Sequence, residues 1–144
     1  MIKSSKNIAL ILWIFLFATC SSKGPEPIKL NAEHCEFCGM TISDAKFGAE
    51  LITDKGKIHK FDDVHCMIAY SKEHNITGAK FFVSIYDKND TLMPAETAYY
   101  IQGGDITSPM MGNSLAFSSE AAANEYLVKF KADAVSWNNL LKNE

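Results

Sequence analysis

The sequence predicts an α+β fold in which two related ββα units pack into one small domain. The order of strand end, two capping residues and helix occurs twice, because Phe61 and two aspartates lead to Tyr70 as Phe117 and two serines lead to Tyr126. Removing 19 N-terminal residues from the 144 leaves 125, enough for one compact core and too few for two ordinary domains. The repeat and the length together indicate two units that share a core.

The first residues have the character of an export signal. Lys3 and Lys6 precede an unbroken apolar run of 11 residues, 8–18. A helix needs roughly 20 residues to span a bilayer, so this run is too short for a transmembrane segment and is typical of a signal peptide. We expect residues 1–19 to be that signal peptide.

Cys20 follows small residues at the end of this run, in a pattern that resembles the lipobox of bacterial lipoproteins. Acylation there would anchor the chain to a bacterial membrane, inner or outer, facing the periplasm. Phe17 and Thr19 depart from the usual lipobox residues, so ordinary signal-peptidase cleavage and an uncleaved anchor remain alternatives. Residues 21–27 are polar and rich in turn formers, so we expect residues 20–32 to be a lipidated N-terminus and flexible tether and residues 33–144 to be the folded domain.

The first predicted unit is a hairpin followed by a helix. Residues 47–53 and 57–61 are short strand-like runs on either side of an Asp-Lys-Gly turn signal. Asp62 or Asp63 can cap the helix that follows, which should end near His74.

Further strands follow before the order of strand end, capping residues and helix returns. Residues 80–86 and 97–101 read as strands, and the Gly-rich, Pro-containing residues 102–109 predict an irregular loop. A short strand over 114–117 then leads to a helix over about 120–131, capped by one of the serines before it. The tail contributes a last apolar face through Val135, Trp137, Leu140 and Leu141.

Charge excludes one class of partner. All 14 basic residues are lysines, and without Lys3 and Lys6 the remaining 12 face 17 acidic side chains, a net charge near -5. Proteins that bind nucleic acid use basic patches and bidentate arginine contacts, and this chain has neither. We therefore expect no nucleic-acid partner.

Sulfur is concentrated between Cys35 and Met40, where two thiols and a thioether lie within six residues. Thiolate and thioether donors suit Cu(I), whereas zinc takes Cys, His and carboxylate. In an extended segment, Cys38 and Met40 would point to the same side. Met110 and Met111, on the irregular loop, are the natural source of a third soft ligand. These residues predict a Cu(I) site.

Three alternatives for the same residues stay open. Cys35 and Cys38 could form a short, redox-labile disulfide. Cys66 can be a buried core residue, which we favour over a role as a metal ligand. For Asp62 and Asp63 we likewise favour helix capping over metal binding. A structural zinc site would draw on His34, Cys35 and Cys38 together with His59, His65 or Cys66.

Three ordered motifs resemble those of the NosL lipoproteins, which are accessory proteins of nitrous oxide reductase. The resemblance extends over residues 34–131. The motifs are Cys35-x-x-Cys38-Gly39-Met40-x-Ile42, Phe61-Asp62-Asp63 followed by Cys66-Met67, and Met111-Gly112 with Ala116-Phe117.

This resemblance implies a membrane-tethered Cu(I) chaperone and not an enzyme. It implies that copper comes from a membrane-associated maturation complex and goes to the reductase, and that the fold is similar to organomercurial lyase. It marks Cys38, Met40 and Met111 as the Cu(I) ligands, and leaves the roles of Cys35 and Met110 undecided. The rival class is a thiol enzyme related to that lyase, with mercury held by Cys35, Cys38 or Cys66 and a proton donated by Asp62 or Asp63.

Overall fold

The structure is a computed structural model that describes residues 24–143. The predicted signal peptide at 1–19 and the predicted lipidation site Cys20 lie outside the described residues. Within 24–143 the chain forms two antiparallel sheets and three α-helices, which confirms the predicted α+β class. None of the helices in this range has the length and apolar character needed to cross a bilayer.

The first sheet has four antiparallel strands in the order β2-β1-β3-β4, with helix α1 between β2 and β3. The predicted hairpin is β1 paired with β2, and the predicted helix is α1. The bounds are β1 Ala49–Ile52, β2 Ile58–Phe61, α1 Val64–Glu73, β3 Lys80–Ser84 and β4 Leu92–Pro94.

The second sheet repeats the arrangement in the order β6-β5-β7. In both sheets a hairpin is followed by a helix, and the strand after the helix pairs with the other side of the first strand. This shared topology confirms the two related units. The bounds are β5 Tyr99–Gln102, β6 Ser114–Phe117, α2 Glu120–Phe130, β7 Asp133–Val135 and α3 Trp137–Asn143.

The helix caps follow the expected chemistry. The Asp63 carboxylate accepts a 2.9 Å hydrogen bond from the backbone N–H of His65, so Asp63 and not Asp62 caps α1. Ser119 caps α2 by accepting a hydrogen bond from the backbone N–H of Ala122.

The strands β4 and β7 have only three residues each, which is too short to show an alternating pattern in the sequence.

The apolar core has two parts. The larger one packs α1 against the first sheet through side chains that include Leu51, Phe61 and Met67, all fully buried. The smaller one packs α2 against the second sheet around Ile101 and Phe117. An isolated parallel β-bridge between residues 85 and 116 also joins the two units, so both halves form one domain.

Residues 26–33 lie against the first sheet. The backbone N–H of Glu26 donates to both oxygens of the buried Glu50 carboxylate, at 3.2 and 3.1 Å. The ammonium of Lys60 donates to the Pro27 carbonyl and to the Glu33 carboxylate. The division between tether and domain at residue 33 stays a prediction.

Candidate metal centre

The segment that carries Cys35 and Cys38 is a tight turn. The backbone N–H of Cys35 donates to the Met40 carbonyl at 2.8 Å, and the N–H of Gly39 donates to the Cys35 carbonyl at 2.9 Å. Gly39 has φ +77°, a left-handed conformation that glycine adopts at little cost. Because the chain reverses here, the expectation that Cys38 and Met40 face one side of an extended strand is wrong.

A backbone contact and the cap of the following helix place this turn beside the start of α1. The N–H of Glu36 donates to the carbonyl of Lys60 at 3.0 Å, which fixes the turn next to the end of β2. Asp62 comes directly after β2, and the Asp63 cap starts the helix whose first turn carries Cys66. The sequence-distant side chains therefore converge at one point.

Four possible metal ligands meet there: Cys35, Cys38, Asp62 and Cys66. Their sulfur and oxygen atoms all lie within 4.8 Å of one another. The Cys38 thiol is half-buried and lies 3.6 Å from each carboxylate oxygen of Asp62, while the other three side chains are at most 2% exposed. The three cysteines of the cluster are free thiols, so this structure contains no disulfide between Cys35 and Cys38.

Ionisation is uneven across the cluster. The thiol of Cys66 and the backbone N–H of Cys38 donate hydrogen bonds to Cys35, and these lower the pKa of Cys35 from 9.0 to about 6 against the effect of burial. The hydrogen bond that Cys66 gives to Cys35, together with burial, raises the pKa of Cys66. Burial and the neighbouring Cys35 raise the pKa of Cys38 to about 11. At neutral pH the cluster holds its thiolate on Cys35, and a metal ion would displace protons from the other two.

The methionines of the predicted site occupy different environments. Met40 is 41% exposed and Met111 is 81% exposed, whereas Met110 is partly buried and packs against the larger core cluster. Met111 also has φ +60°, a left-handed conformation that is uncommon for a residue with a side chain. The loop therefore packs one thioether against the core and turns the next one into solvent.

The loop that carries these methionines is docked on the start of α1. The Ser108 hydroxyl donates to the Asp63 carboxylate at 2.5 Å, and the backbone N–H of Met110 donates to the same oxygen at 3.1 Å. At Gly112 a Cβ atom would lie 2.7 Å from both Asp63 Oδ1 and His65 Cβ, so only glycine allows this close approach. The chain on both sides of Met111 therefore lies against Asp63, the neighbour of Asp62 in the sequence.

The histidines considered for a zinc site lie outside the cluster. His34 is exposed, with its ring 3.4 Å from the Thr41 hydroxyl. His59 is buried against the Tyr70 hydroxyl at 3.2 Å, and burial lowers its pKa. Within the described range, the group of four converging ligands contains no histidine.

The sequence ranks two members of the cluster, Asp62 and Cys66, below the proposed ligands. It favours a helix cap for Asp62 and a core position for Cys66, with metal binding second. Cys66 is fully buried in the core, as expected, but its sulfur also faces the other thiols. One sequence signal points to both residues. Asp62 stands just before the helix-capping residue, and Cys66 lies in the first turn of the helix that follows.

Comparison with known proteins identifies the family. A model of the NosL family matches residues 27–143 of this chain. The fold is similar to the crystal structure of the copper chaperone NosL from Shewanella denitrificans, with a TM-score of 0.71 and 14% sequence identity over 85% of this chain and 98% of that chain. No curated protein gives a significant sequence match. Because the family model spans most of its length, the chain belongs to the NosL family.

Proposed function

We propose that this protein is a Cu(I) chaperone that holds one ion in soft sulfur ligands and passes it to a copper enzyme. The observation that carries the proposal is the position of Cys38. Its half-buried thiol joins the buried thiols of Cys35 and Cys66, and it lies in a turn whose next side chain is the exposed Met40. Copper is the cargo of such a protein, which needs no catalytic residue.

The proposed Cu(I) ligands are Cys38, Met40 and Met111. Thiolate and thioether sulfur form low-coordinate sites that suit Cu(I). The exposure of Met111, its left-handed backbone and the docking of its loop on Asp63 support it over Met110, which is partly buried against the core. Local strain of this kind is typical of functional positions.

The exposure of the two thioethers supports a transfer mechanism. A receiving thiol, thioether or imidazole can approach the ion from the solvent side and bind before a donor sulfur leaves. The ion then moves between proteins without being released into solution. Cys35, which carries the thiolate of the cluster, would replace a departing methionine from the buried side.

The family supports a proposal for the partner enzyme, and the N-terminal sequence supports one for the location in the cell. The receiving enzyme would be nitrous oxide reductase, loaded together with its membrane-associated maturation complex, and acylated Cys20 would anchor the chaperone in the cell envelope facing the periplasm. Cells with a Cys20→Ala chaperone should release it from the membrane fraction, and deletion of its gene should lower the copper content of the purified reductase. Reductase with full copper content from the deletion strain would contradict the assigned partner.

X-ray absorption spectroscopy of the Cu(I)-loaded, reduced protein tests the site directly. The expected result is one copper per chain, with a first shell of sulfur alone. A shell that contains histidine nitrogen would redirect the site to His34, His59 or His65. The measurement distinguishes these outcomes because Cu–S and Cu–N distances differ.

A second candidate function is protonolysis of organomercurials, favoured by the 3.6 Å contact between the Cys38 thiol and the Asp62 carboxylate. Thiolates would hold the mercury of an R–Hg⁺ cation, and protonated Asp62 would give its proton to the carbon as the C–Hg bond breaks. The products would be R–H and Hg(II) on the thiolates. This function leaves the exposed methionines without a role. Incubation with an organomercurial, followed by measurement of the released hydrocarbon, decides between the two.

A further inference from the structure

Within residues 24–143, the outer edge of strand β7 pairs with no other strand. The other sheet edges are engaged or blocked. At β2 the Lys60 carbonyl accepts from the N–H of Glu36, at β6 the Ala116 carbonyl accepts from the N–H of Tyr86, and at β4 Pro94 has no N–H. Proteins usually cover such edges, because an open edge can pair with another chain. The edge of β7 is therefore a candidate interaction surface.

The backbone groups of Ala134 face this open edge. The Ala116 carbonyl is bonded to Tyr86 and so points away from β5. Backbone groups alternate sides along antiparallel strands, so Tyr100, opposite Ala116, directs its own groups at Val135 of β7. The preceding residue of β7, Ala134, then directs its N–H and carbonyl outward.

Two surface depressions meet at this edge, because Ala134 and Val135 line both of them. One has a volume of about 470 Å³ and contains Met111, the exposed methionine of the proposed copper site. The other has a volume of about 530 Å³ and is lined by residues of β7 and α2 together with Tyr99 and Trp137. Binding by strand addition combines main-chain hydrogen bonds with pockets for individual side chains, and this edge offers both.

The charge of the two depressions favours a basic occupant. They carry three exposed carboxylates, Glu96, Glu120 and Asp133, and none of the described residues that line them is a lysine or a histidine. Tyr99 and Trp137 add aromatic faces, which attract cations. A segment with lysine or arginine side chains is complementary to this surface, and an acidic segment would be repelled.

We propose that an extended, basic segment of the protein that receives the copper ion pairs with β7 as an added strand. This inference rests on the proposed copper transfer and deepens it. One part of the segment would lie in the depression of Tyr99 and Trp137, and another part would pass Met111. A metal ligand carried there could reach the copper ion while the two proteins stay bound.

Amide hydrogen exchange of the full chain, with copper-free nitrous oxide reductase as the probe, tests the pairing. In the free protein the amide of Ala134 should exchange fast, and the reductase should slow it roughly tenfold or more, because the added strand bonds this N–H. An Ala134 amide that is already protected in the free chain would overturn the docking surface. So would protection by the reductase that is confined to other segments.

Ala134→Pro removes the outward N–H and leaves the hydrogen bonds between β5 and β7 in place. Its affinity for the reductase should fall about tenfold, and Ala134→Ser, which keeps the N–H, should restore it. Combined Glu96→Gln and Glu120→Gln should weaken the complex at low salt and reduce its salt dependence. Glu125→Gln, an exposed change on α2 outside both depressions, is the matched control. Wild-type affinity in Ala134→Pro and in the double glutamine variant would overturn the inference.

Cu(I) affinity, measured by competition with a chelator, separates this inference from the proposed function. All of these variants should keep wild-type Cu(I) affinity, because none of them changes a proposed copper ligand. A wild-type chain that binds no Cu(I) would contradict the proposed function, whereas reductase binding that is independent of β7 would contradict the docking surface alone. If Ala134→Pro fails to fold, hydrogen exchange of the wild type and the glutamine variants decide the question.

Discussion

The hydroxyl of Ser108 donates a 2.5 Å hydrogen bond to the carboxylate of Asp63 across 45 positions of sequence. The same carboxylate accepts from the backbone N–H of Met110 and caps helix α1. One buried side chain therefore holds both the helix start that carries Cys66 and the loop that carries Met111. The thiol side and the thioether side of the candidate site meet through this residue.

Ser108→Ala should loosen the loop and weaken copper binding. The substitution removes a buried hydrogen bond to a charged group, which we expect to lower the free energy of unfolding by about 1.5–3 kcal/mol. Cu(I) affinity should fall several-fold, because Met111 is then less well positioned. Denaturant unfolding and competition with a Cu(I) chelator measure the two effects. Ser118→Ala, which breaks an exposed bond to Asp87, is the matched control and should leave Cu(I) affinity unchanged.

Replacing single sulfur ligands should weaken Cu(I) binding by amounts that follow the donor. Met40→Leu and Met111→Leu should each cost tenfold or more, about 1.4 kcal/mol, and Cys38→Ser should cost more because it removes the anionic ligand. Met110→Leu is the control, since Met110 packs against the core and Leu has a similar volume. Full Cu(I) affinity in Met111→Leu would remove that residue from the site.

Gly112→Ala should displace the methionine loop. The added Cβ would meet Asp63 Oδ1 and His65 Cβ at 2.7 Å, too close for the loop to stay docked. We expect a loss of about 1–3 kcal/mol in unfolding free energy and a weaker Cu(I) complex. Gly24→Ala is the control because its Cβ would have open space around it. Equal thermal stability of the two variants would argue against the tight contact.

The thiol of Cys35 should ionise at a much lower pH than the thiols of Cys38 and Cys66. The pKa of Cys35 is lowered to about 6, mainly by the hydrogen bond from Cys66, whereas the pKa of Cys38 is raised to about 11 by burial. Thiolate absorbance of the reduced, metal-free protein should therefore rise by one thiolate as the pH increases from 5 to 7. Cys35→Ser should abolish this step and Cys38→Ser should preserve it. A step that survives in Cys35→Ser would assign the thiolate to another residue.

Glu50 should make stability depend on pH. Burial raises its pKa from the ordinary 4.5 to about 7, so the folded protein binds its proton more tightly than the unfolded chain does. The resulting stabilisation is fully present below pH 4.5 and is lost as the pH rises through 7, by about 3 kcal/mol at most. Glu50→Gln should remove this dependence, and its stability relative to wild type should increase between pH 5 and 8. Parallel pH profiles of the melting temperatures would contradict it.

Local chemistry explains why so many elements could be predicted from the sequence. The hairpin β1–β2 follows from two short strand-like runs around a turn signal, and Asp63 and Ser119 cap their helices through contacts within three residues. The three-residue strand β4 carries no such signal, because it is defined by pairing with β3. Pairing partners lie elsewhere in the chain, so a short edge strand is not visible locally.

The sequence by itself determined the α+β class, the repeated unit and the concentration of soft sulfur side chains at Cys38, Met40 and the methionine pair. Only the tertiary structure decided which side chains converge. It brought Asp62 to Cys38 across 24 positions, turned the sulfur of Cys66 toward the same point, and exposed Met111 while packing Met110 against the core. Capping and alternation act between neighbouring residues, whereas these placements result from many weak contacts between distant segments, which no local pattern encodes.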